Sequence, residues 1–185
     1  MILRLNERMR KLFTIVLTLC IVVSMLLASS LIAFAADAVS YIEYSWDGSA
    51  LSSQTKTVTN YTVCTGSETS LDAGWYVVSG SVTVSGSLRV DYNATVNMIL
   101  MDGAVLTTES GIQVPSDSTI NIYAQSNGSN MGKIVVPSNS SYVSGIGARE
   151  NALCGNINIH GGDLSLYSGG NYTSGLGVYL NSTEN

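Results

Sequence analysis

Very short runs of alternating residues dominate the chain beyond residue 54, and they constrain its fold more than any other feature. Each run places two aliphatic residues two positions apart, so that both side chains point to one face of an extended strand. The pairs are Val82 and Val84, Leu88 and Val90, Ile112 and Val114, Ile120 and Ile122, Ile157 and Ile159, and Leu164 and Leu166. Gly, Ser, Asn or Asp ends almost every run, which is typical of strands bounded by turns. No apolar stripe of helical period is long enough for a helix in this region, so we predict an all-β fold.

The shortness of these strands selects among all-β architectures. A strand with two inward side chains is about three to five residues long, and an isolated antiparallel pair of such strands cannot bury a core. A chain that coils solves this problem, because each strand edge is covered by the next coil. We therefore predict a right-handed parallel β-helix, a fold that two facing antiparallel sheets would contradict.

A repeat supports the prediction of stacked layers. Ser144-Gly-Ile-Gly147 recurs as Ser174-Gly-Leu-Gly177, and two short strands joined at Gly161-Gly162 lie between the copies. Each copy is interpreted as one layer of the stack, with glycines at corners where φ is positive. In the second copy the next strand would begin just past Asn185, so we expect a domain that is truncated at its C-terminal end, a disordered tail being the alternative.

The first 35 residues differ sharply from the rest. A basic start is followed by an apolar run from Leu12 to Phe34 and by small residues at the two positions that a signal peptidase reads. The basic residues are Arg4, Arg8, Arg10 and Lys11. We predict a helical signal peptide over residues 1–35 that is cleaved between Ala35 and Ala36, in preference to a transmembrane anchor. Translation from Met1 and from Met9 are both compatible with this pattern.

Cleavage at this position leaves a strongly acidic chain. Residues 36–54 are interpreted as a lead-in and residues 55–185 as the β-helix domain. Together they carry four basic and twelve acidic residues, a net charge near −8. Nucleic acids and anionic membranes require clustered cations, so they are excluded as partners, and membrane contact is expected only through the signal segment before cleavage. We expect the chain to be secreted or held at the cell surface.

Two cysteines remain after cleavage, Cys64 and Cys154. An exported chain can keep a disulfide, and the even count permits one between them. Two buried free thiols are equally consistent with the sequence, and the wide scatter of cysteines and histidine gives no support for a metal site.

Several segments carry a resemblance to a known family. Asp72–Gly80, Val82–Val84, Ala94–Leu106 and Gly111–Val114 resemble the opening of glycine-rich β-helix repeat proteins on the surface of Gram-positive bacteria, often described as carbohydrate-binding-domain-like. Their layer, Ser-Gly-Ile-Gly followed by Gly-X-Ile-X-Ile-X-Gly-Gly, is similar to two further segments. These are Ser144–Gly147 and Gly155–Gly162. The resemblance covers roughly residues 55–180, and it implies a β-helix and a surface role that includes carbohydrate binding.

The residues that could support catalysis are scattered. His160 is the single histidine and stands beside two glycines, so we interpret it as a turn residue. The isolated aspartates adjoin turn residues or strand ends, where solvated carboxylates are ordinary. They are Asp91, Asp102, Asp117 and Asp163. We predict no catalytic residue, no metal and no cofactor, and a β-helix polysaccharide lyase or glycosidase is the least favoured hypothesis.

Tyrosines are the best candidates for ligand contact, because a flat ring with a hydroxyl can pack on a sugar and hydrogen-bond its rim. Tyr167 and Tyr172 flank Gly169-Gly170, a corner that we expect to be exposed, and Tyr142 is a third candidate. Tyrosine also suits strands for structural reasons alone. Trp46 and Trp75 are interpreted as packing residues. We hypothesise an exported, non-enzymatic module that binds polysaccharide or glycan or contributes to adhesion, with a structural spacer as the alternative.

Overall fold

The computed structural model describes residues 37–137, 144–149, 152–167 and 174–177. These residues form strands and turns, and they include no helix, hence none that could span a membrane. The strands are β1 Val39–Trp46, β2 Leu51–Val58, β3 Thr62–Val63, β4 Ser70–Leu71, β5 Gly74–Val78, β6 Ser81–Val84, β7 Leu88–Val90, β8 Thr95–Leu100, β9 Val105–Thr108, β10 Ile112–Gln113, β11 Thr119–Ala124, β12 Lys133–Val136, β13 Ile146–Gly147, β14 Asn156–Ile159, β15 Asp163–Leu166 and β16 Leu176–Gly177. The predicted signal peptide and its cleavage position, Ala35 and Ala36, lie outside the described residues.

Fourteen of these strands form three parallel sheets that the chain visits in turn. Sheet I has the order β3-β5-β8-β11-β14, sheet II the order β6-β9-β12-β15, and sheet III the order β4-β7-β10-β13-β16. One visit to each sheet is called a pass here, so that β5–β7, β8–β10, β11–β13 and β14–β16 are the first to fourth passes. For the described residues beyond position 54, the prediction of an all-β fold built from short parallel strands is confirmed.

The paired aliphatic residues lie where the alternation predicts. In sheet I, Val96, Ile120 and Ile157 are register partners on successive strands. Side chains from all three sheets form one buried cluster, which includes Val82, Leu88 and Met98. Strands of all three sheets therefore contribute inward side chains to a common core, and in the first three passes each strand edge is covered by the strand of the next pass.

The thirty-residue repeat corresponds to stacking in two of the sheets. Ile146 is the register partner of Leu176 in sheet III, and Ile134 is the partner of Leu164 in sheet II. Ser144 Oγ and Ser174 Oγ lie 3.1 Å apart. Equivalent residues of the repeat therefore lie above one another, as predicted.

The glycines of the repeat have two different roles. Gly147, Gly162 and Gly177 have φ values of 152°, 106° and 112°, as expected for corners. Gly145 and Gly155 do not have positive φ, and a Cβ on either would collide with backbone carbonyl oxygens of an adjacent pass. The expectation of a positive φ is therefore wrong for Gly145 and Gly155. Glycine is required at these positions because the backbone of an adjacent pass lies too close to leave room for a Cβ.

The N-terminal segment is more ordered than a lead-in. β1 and β2 form an antiparallel hairpin with Val39 opposite Val58 and Trp46 opposite Leu51. Its turn is held by the Asp47 carboxylate, which accepts hydrogen bonds from the backbone N–H groups of Ser49 and Ala50 at 2.8 Å each. The Asp47 side chain thus closes the turn between β1 and β2.

The hairpin packs on the outer face of sheet I. Val39 and Tyr41 contact a buried cluster that contains Val77, Ile99 and Tyr123. The Tyr41 ring lies 4.8 Å from the rings of both Trp75 and Tyr123. Trp75 is therefore a packing residue, as predicted. Trp46 is 64% exposed at the tip of the hairpin, so the packing role expected for it is wrong.

Candidate functional site

The structure describes one of the three tyrosines that the sequence suggested as ligand contacts. Tyr167 directly follows β15 and is 61% exposed, which agrees with an exposed corner. Tyr142 and Tyr172 lie outside the described residues.

Two other tyrosines belong to the interior and not to a binding surface. Tyr76 and Tyr123 are 9% and 5% exposed. Burial raises the pKa of the Tyr123 hydroxyl to about 12, because the low-dielectric interior disfavours the phenolate. Tyr76 and Tyr123 therefore serve strand packing, which is the structural alternative to ligand contact.

The most exposed tyrosine among the described residues is Tyr92, at 65%. It lies at the corner between β7 and β8, beside Asn93, which has a φ of 59°. The Arg89 guanidinium lies over the Tyr92 ring, 5.6 Å from its centroid, in the arrangement of a cation–π pair. Sequence analysis did not select Tyr92, although the Asp91-Tyr92-Asn93 triplet indicates an aromatic residue within a turn.

Tyr92 borders a groove on the outer side of sheet III, which we call the arginine groove. Its volume is about 100 Å³, and its lining includes Arg89, Tyr92, Gln113, Gly147, Arg149 and Leu153. Arg89 and Gln113 are register neighbours on adjacent strands, and Gly147 is next in the same row. Because Gly147 has no side chain, the outward row leaves a depression beside Gln113. Three successive passes thus supply the groove, a combination that sequence spacing did not reveal.

The arginine groove holds the least compensated cations of the described chain. Lys56 forms an ion pair with Glu43, and Lys133 lies 2.8 Å from Asp163. Arg89 has a looser contact of 3.6 Å with Asp91, and Arg149 forms no ion pair with a described residue. The groove is therefore the place where an otherwise acidic chain offers positive charge to a ligand.

A pair of carboxyl groups lies on the same sheet. Asp72 follows β4 and Asp91 follows β7, and the Asp91 N–H donates to the Leu71 carbonyl at 3.0 Å. A hydrogen bond with the Asp91 carboxylate and repulsion from its charge raise the pKa of Asp72. Protonated Asp72 can donate to Asp91, whereas two ionised groups repel each other.

Asp72→Asn should therefore raise the melting temperature at pH 7. A carboxyl whose pKa is raised in the folded state contributes stability below its unfolded pKa of about 3.9 and loses that contribution as pH rises through the folded pKa. The gain should accordingly disappear at pH 3, where Asp72 with its raised pKa is protonated in the folded chain. Thermal melts at the two pH values test this, with exposed Asp117→Asn as the control. An equal gain at both pH values would contradict the shared proton.

His160 has a structural position. Its ring stacks on Tyr123 with centroids 4.6 Å apart, and its Nδ1 lies 3.3 Å from the backbone nitrogen of Tyr44 and 3.1 Å from the Tyr44 oxygen. It thereby ties β14 to the hairpin, beside a cavity of about 290 Å³ that Ile42, Asn127 and Met131 also line. No hydrogen bond or ion pair links His160 to a carboxylate or nucleophile among the described residues.

Cys64 and Cys154 are free thiols. Cys64 directly follows β3 and is buried, whereas Cys154 lies just before β14 and is half-buried. β3 and β14 are at opposite edges of sheet I, four strand spacings apart, or about 19 Å at ~4.8 Å per spacing. A disulfide requires Cα atoms within roughly 7 Å. The two cysteines therefore do not pair in this structure, and both are free thiols, although only Cys64 is buried as the alternative expected for both.

The part of the chain that the structure describes contains no group of three or more His, Cys, Asp or Glu side chains arranged to hold a metal ion. The arginine groove places the exposed Tyr92 beside Arg89 and Arg149. Comparison of the chain with protein-family models, with curated proteins and with solved structures found no match.

Proposed function

We propose that the chain is an exported, non-enzymatic module of a bacterial surface protein, folded as a right-handed parallel β-helix, that binds carbohydrate through the arginine groove. The repeated visits to three parallel sheets in one order support the β-helix. The resemblance to glycine-rich β-helix surface proteins is part of the same proposal. The leader-like first 35 residues support export.

The observation that carries the binding proposal is the exposed Tyr92 ring beside Arg89 and Arg149. An exposed ring offers a flat apolar face to a sugar, and the guanidinium groups offer fixed N–H donors to hydroxyl or carboxylate oxygens. The shallow groove is smaller than the roughly 300–1,000 Å³ of enclosed ligand sites. Such a surface suits contact with one side of a polymer. The two arginines favour a polysaccharide that carries carboxylates.

Tyr92→Ala should weaken polysaccharide binding about tenfold, the equivalent of ~1.4 kcal/mol. Arg149→Gln should weaken binding to an acidic polymer more than binding to a neutral one. Retention on cellulose, pectin and host-glycan matrices at low and high salt measures both effects, since salt screens exposed charges. Tyr167→Ala is the matched exposed-tyrosine variant, and loss of binding there alone would move the site to the β15 corner.

Two outcomes would remove the proposal. Absence of retention on every matrix would favour the structural spacer, and unchanged retention in both tyrosine variants would exclude these rings as contacts. Release of reducing or unsaturated sugars by the purified chain would instead indicate an enzyme.

A further inference from the structure

The corner between β11 and β12 carries a chemically labile pair, Asn127-Gly128, which is the only Asn-Gly pair in the sequence. Both residues are exposed, and apart from its chain neighbours a Cβ on Gly128 would contact only the Ser126 hydroxyl, at 3.6 Å. An asparagine that precedes glycine can lose its amide, because no Cβ shields the next backbone nitrogen from the side-chain carbonyl. The corner therefore offers both the residue types and the access to water that deamidation requires.

A chain of hydrogen bonds leads from the attacking nitrogen to a carboxylate. The Gly128 N–H donates to Ser126 Oγ at 3.3 Å, and the Ser126 hydroxyl donates to Asp102 Oδ1 at 2.8 Å. A serine hydroxyl has one proton, and because Ser126 gives it to Asp102, its oxygen is left to accept from Gly128. Asp102 lies at the corner between β8 and β9, one pass earlier. The stacking of two corners thus builds a relay that can take up the Gly128 proton.

Two comparable corner positions lack this combination. Asn93 is exposed and precedes a small residue, but the Ala94 N–H is held at 3.1 Å by a carbonyl of its own turn. The pair Asp102-Gly103 presents a carboxylate, which has no ammonia to release. Its Gly103 N–H also donates to the Asn130 carbonyl at 2.7 Å. The nitrogen of Gly128 is held less tightly than either of these.

We propose that Asn127 deamidates in the folded protein and that Ser126 and Asp102 assist the step. The Gly128 nitrogen attacks Asn127 Cγ while its proton passes to Ser126 Oγ and the serine proton passes to Asp102. The new N–Cγ bond closes a cyclic succinimide, the Cγ–Nδ2 bond breaks, and the relay returns the proton to the leaving group, which departs as ammonia. Water then opens the ring at either carbonyl and gives aspartate or isoaspartate, with the acid proton lost to solvent.

The modification changes the wall of the cavity beside the hairpin. Asn127 lines this cavity of about 290 Å³ together with Tyr44 and His160. Aspartate puts a negative charge where the amide was neutral, and isoaspartate also lengthens the backbone of the corner by a methylene group. The arginine groove lies on sheet III, whereas this corner joins sheets I and II. Deamidation is therefore independent of the proposed function, and either can fail without the other.

Incubation of the full chain at neutral pH tests the proposal. Peptide mapping by mass spectrometry over several weeks should show Asn127 converting to aspartate and isoaspartate, while Asn93 in the same digest keeps its amide. Gly128→Ala should slow the conversion about tenfold, because the methyl group shields the nitrogen. The open space at this position lets the variant keep its fold. Survival of the amide at position 127 for as long as that of Asn93 would overturn the proposal.

Ser126→Ala tests the assistance by the relay. Loss of the hydroxyl should slow the conversion about fivefold, the rate equivalent of one hydrogen bond of ordinary strength, and Asp102→Ala should have the same effect. Ser129→Ala, on the other side of Gly128, is the matched control and should deamidate at the rate of the parent. Circular dichroism shows whether each variant keeps its fold. Folded Ser126 and Asp102 variants that deamidate as fast as the parent would remove the relay from the mechanism.

Discussion

Ile122→Ala should lower the free energy of unfolding by about 2–5 kcal/mol, the range for truncating a fully buried isoleucine. Ile122 is 0% exposed in the middle of sheet I, between its register partners Met98 and Ile159. The loss combines the transfer free energy of three carbon atoms with the cost of the cavity that they leave. Neighbouring passes are held by backbone hydrogen bonds, so the site cannot collapse to fill it. Urea denaturation of parent and variant gives the difference directly.

The same isoleucine-to-alanine change in the adjacent strand, β14, provides the control. Ile159 occupies the equivalent position in β14 but is 42% exposed, so Ile159→Ala should cost about 1 kcal/mol or less. Equal losses at the two positions would show that the fourth pass is as deeply buried as the third, contrary to the structure.

Gly155→Ala should be nearly as disruptive, although it adds one methyl group. A Cβ at Gly155 would overlap the carbonyl oxygens of both Pro115 and Ser118, and neither carbonyl can move freely. The Gly155 N–H donates to Val114 O and the Asn156 N–H to Ser118 O, each at 3.0 Å. We expect a loss of about 3 kcal/mol, at the upper end of the range for overpacking, because the added atom meets backbone and not a flexible side chain.

Gly128→Ala is the matched control for this prediction. Gly128 is exposed, its φ is not positive, and a Cβ there would lie 3.6 Å from Ser126 Oγ, an ordinary contact. Its effect should stay within about 0.5 kcal/mol, as for most surface substitutions. Thermal and urea denaturation of both variants measure the contrast. A mild effect at Gly155 would mean that the chain before β14 is not pressed against the preceding corner.

Some features of the candidate site were within reach of sequence reasoning and others were not. The exposure of Tyr92 follows from its neighbours Asp91 and Asn93, since such residues favour turns. Its partnership with Arg149 could not be read from the sequence. Fifty-seven positions separate the two residues, and the loops between passes vary in length. Only the register of β7, β10 and β13 brings them to one groove.

The sequence by itself determined the strands and their inward faces, because alternation in an extended chain puts residues such as Ile120 and Ile122 on one side whatever surrounds them. It also determined the thirty-residue stacking of Ile146 on Leu176. The tertiary structure alone decided that a hairpin covers sheet I and that Cys64 and Cys154 lie too far apart to pair. It also decided that Gly145 and Gly155 are required by close approach of the backbone. These outcomes depend on which passes become neighbours, and that is a property of the whole stack and not of any local pattern.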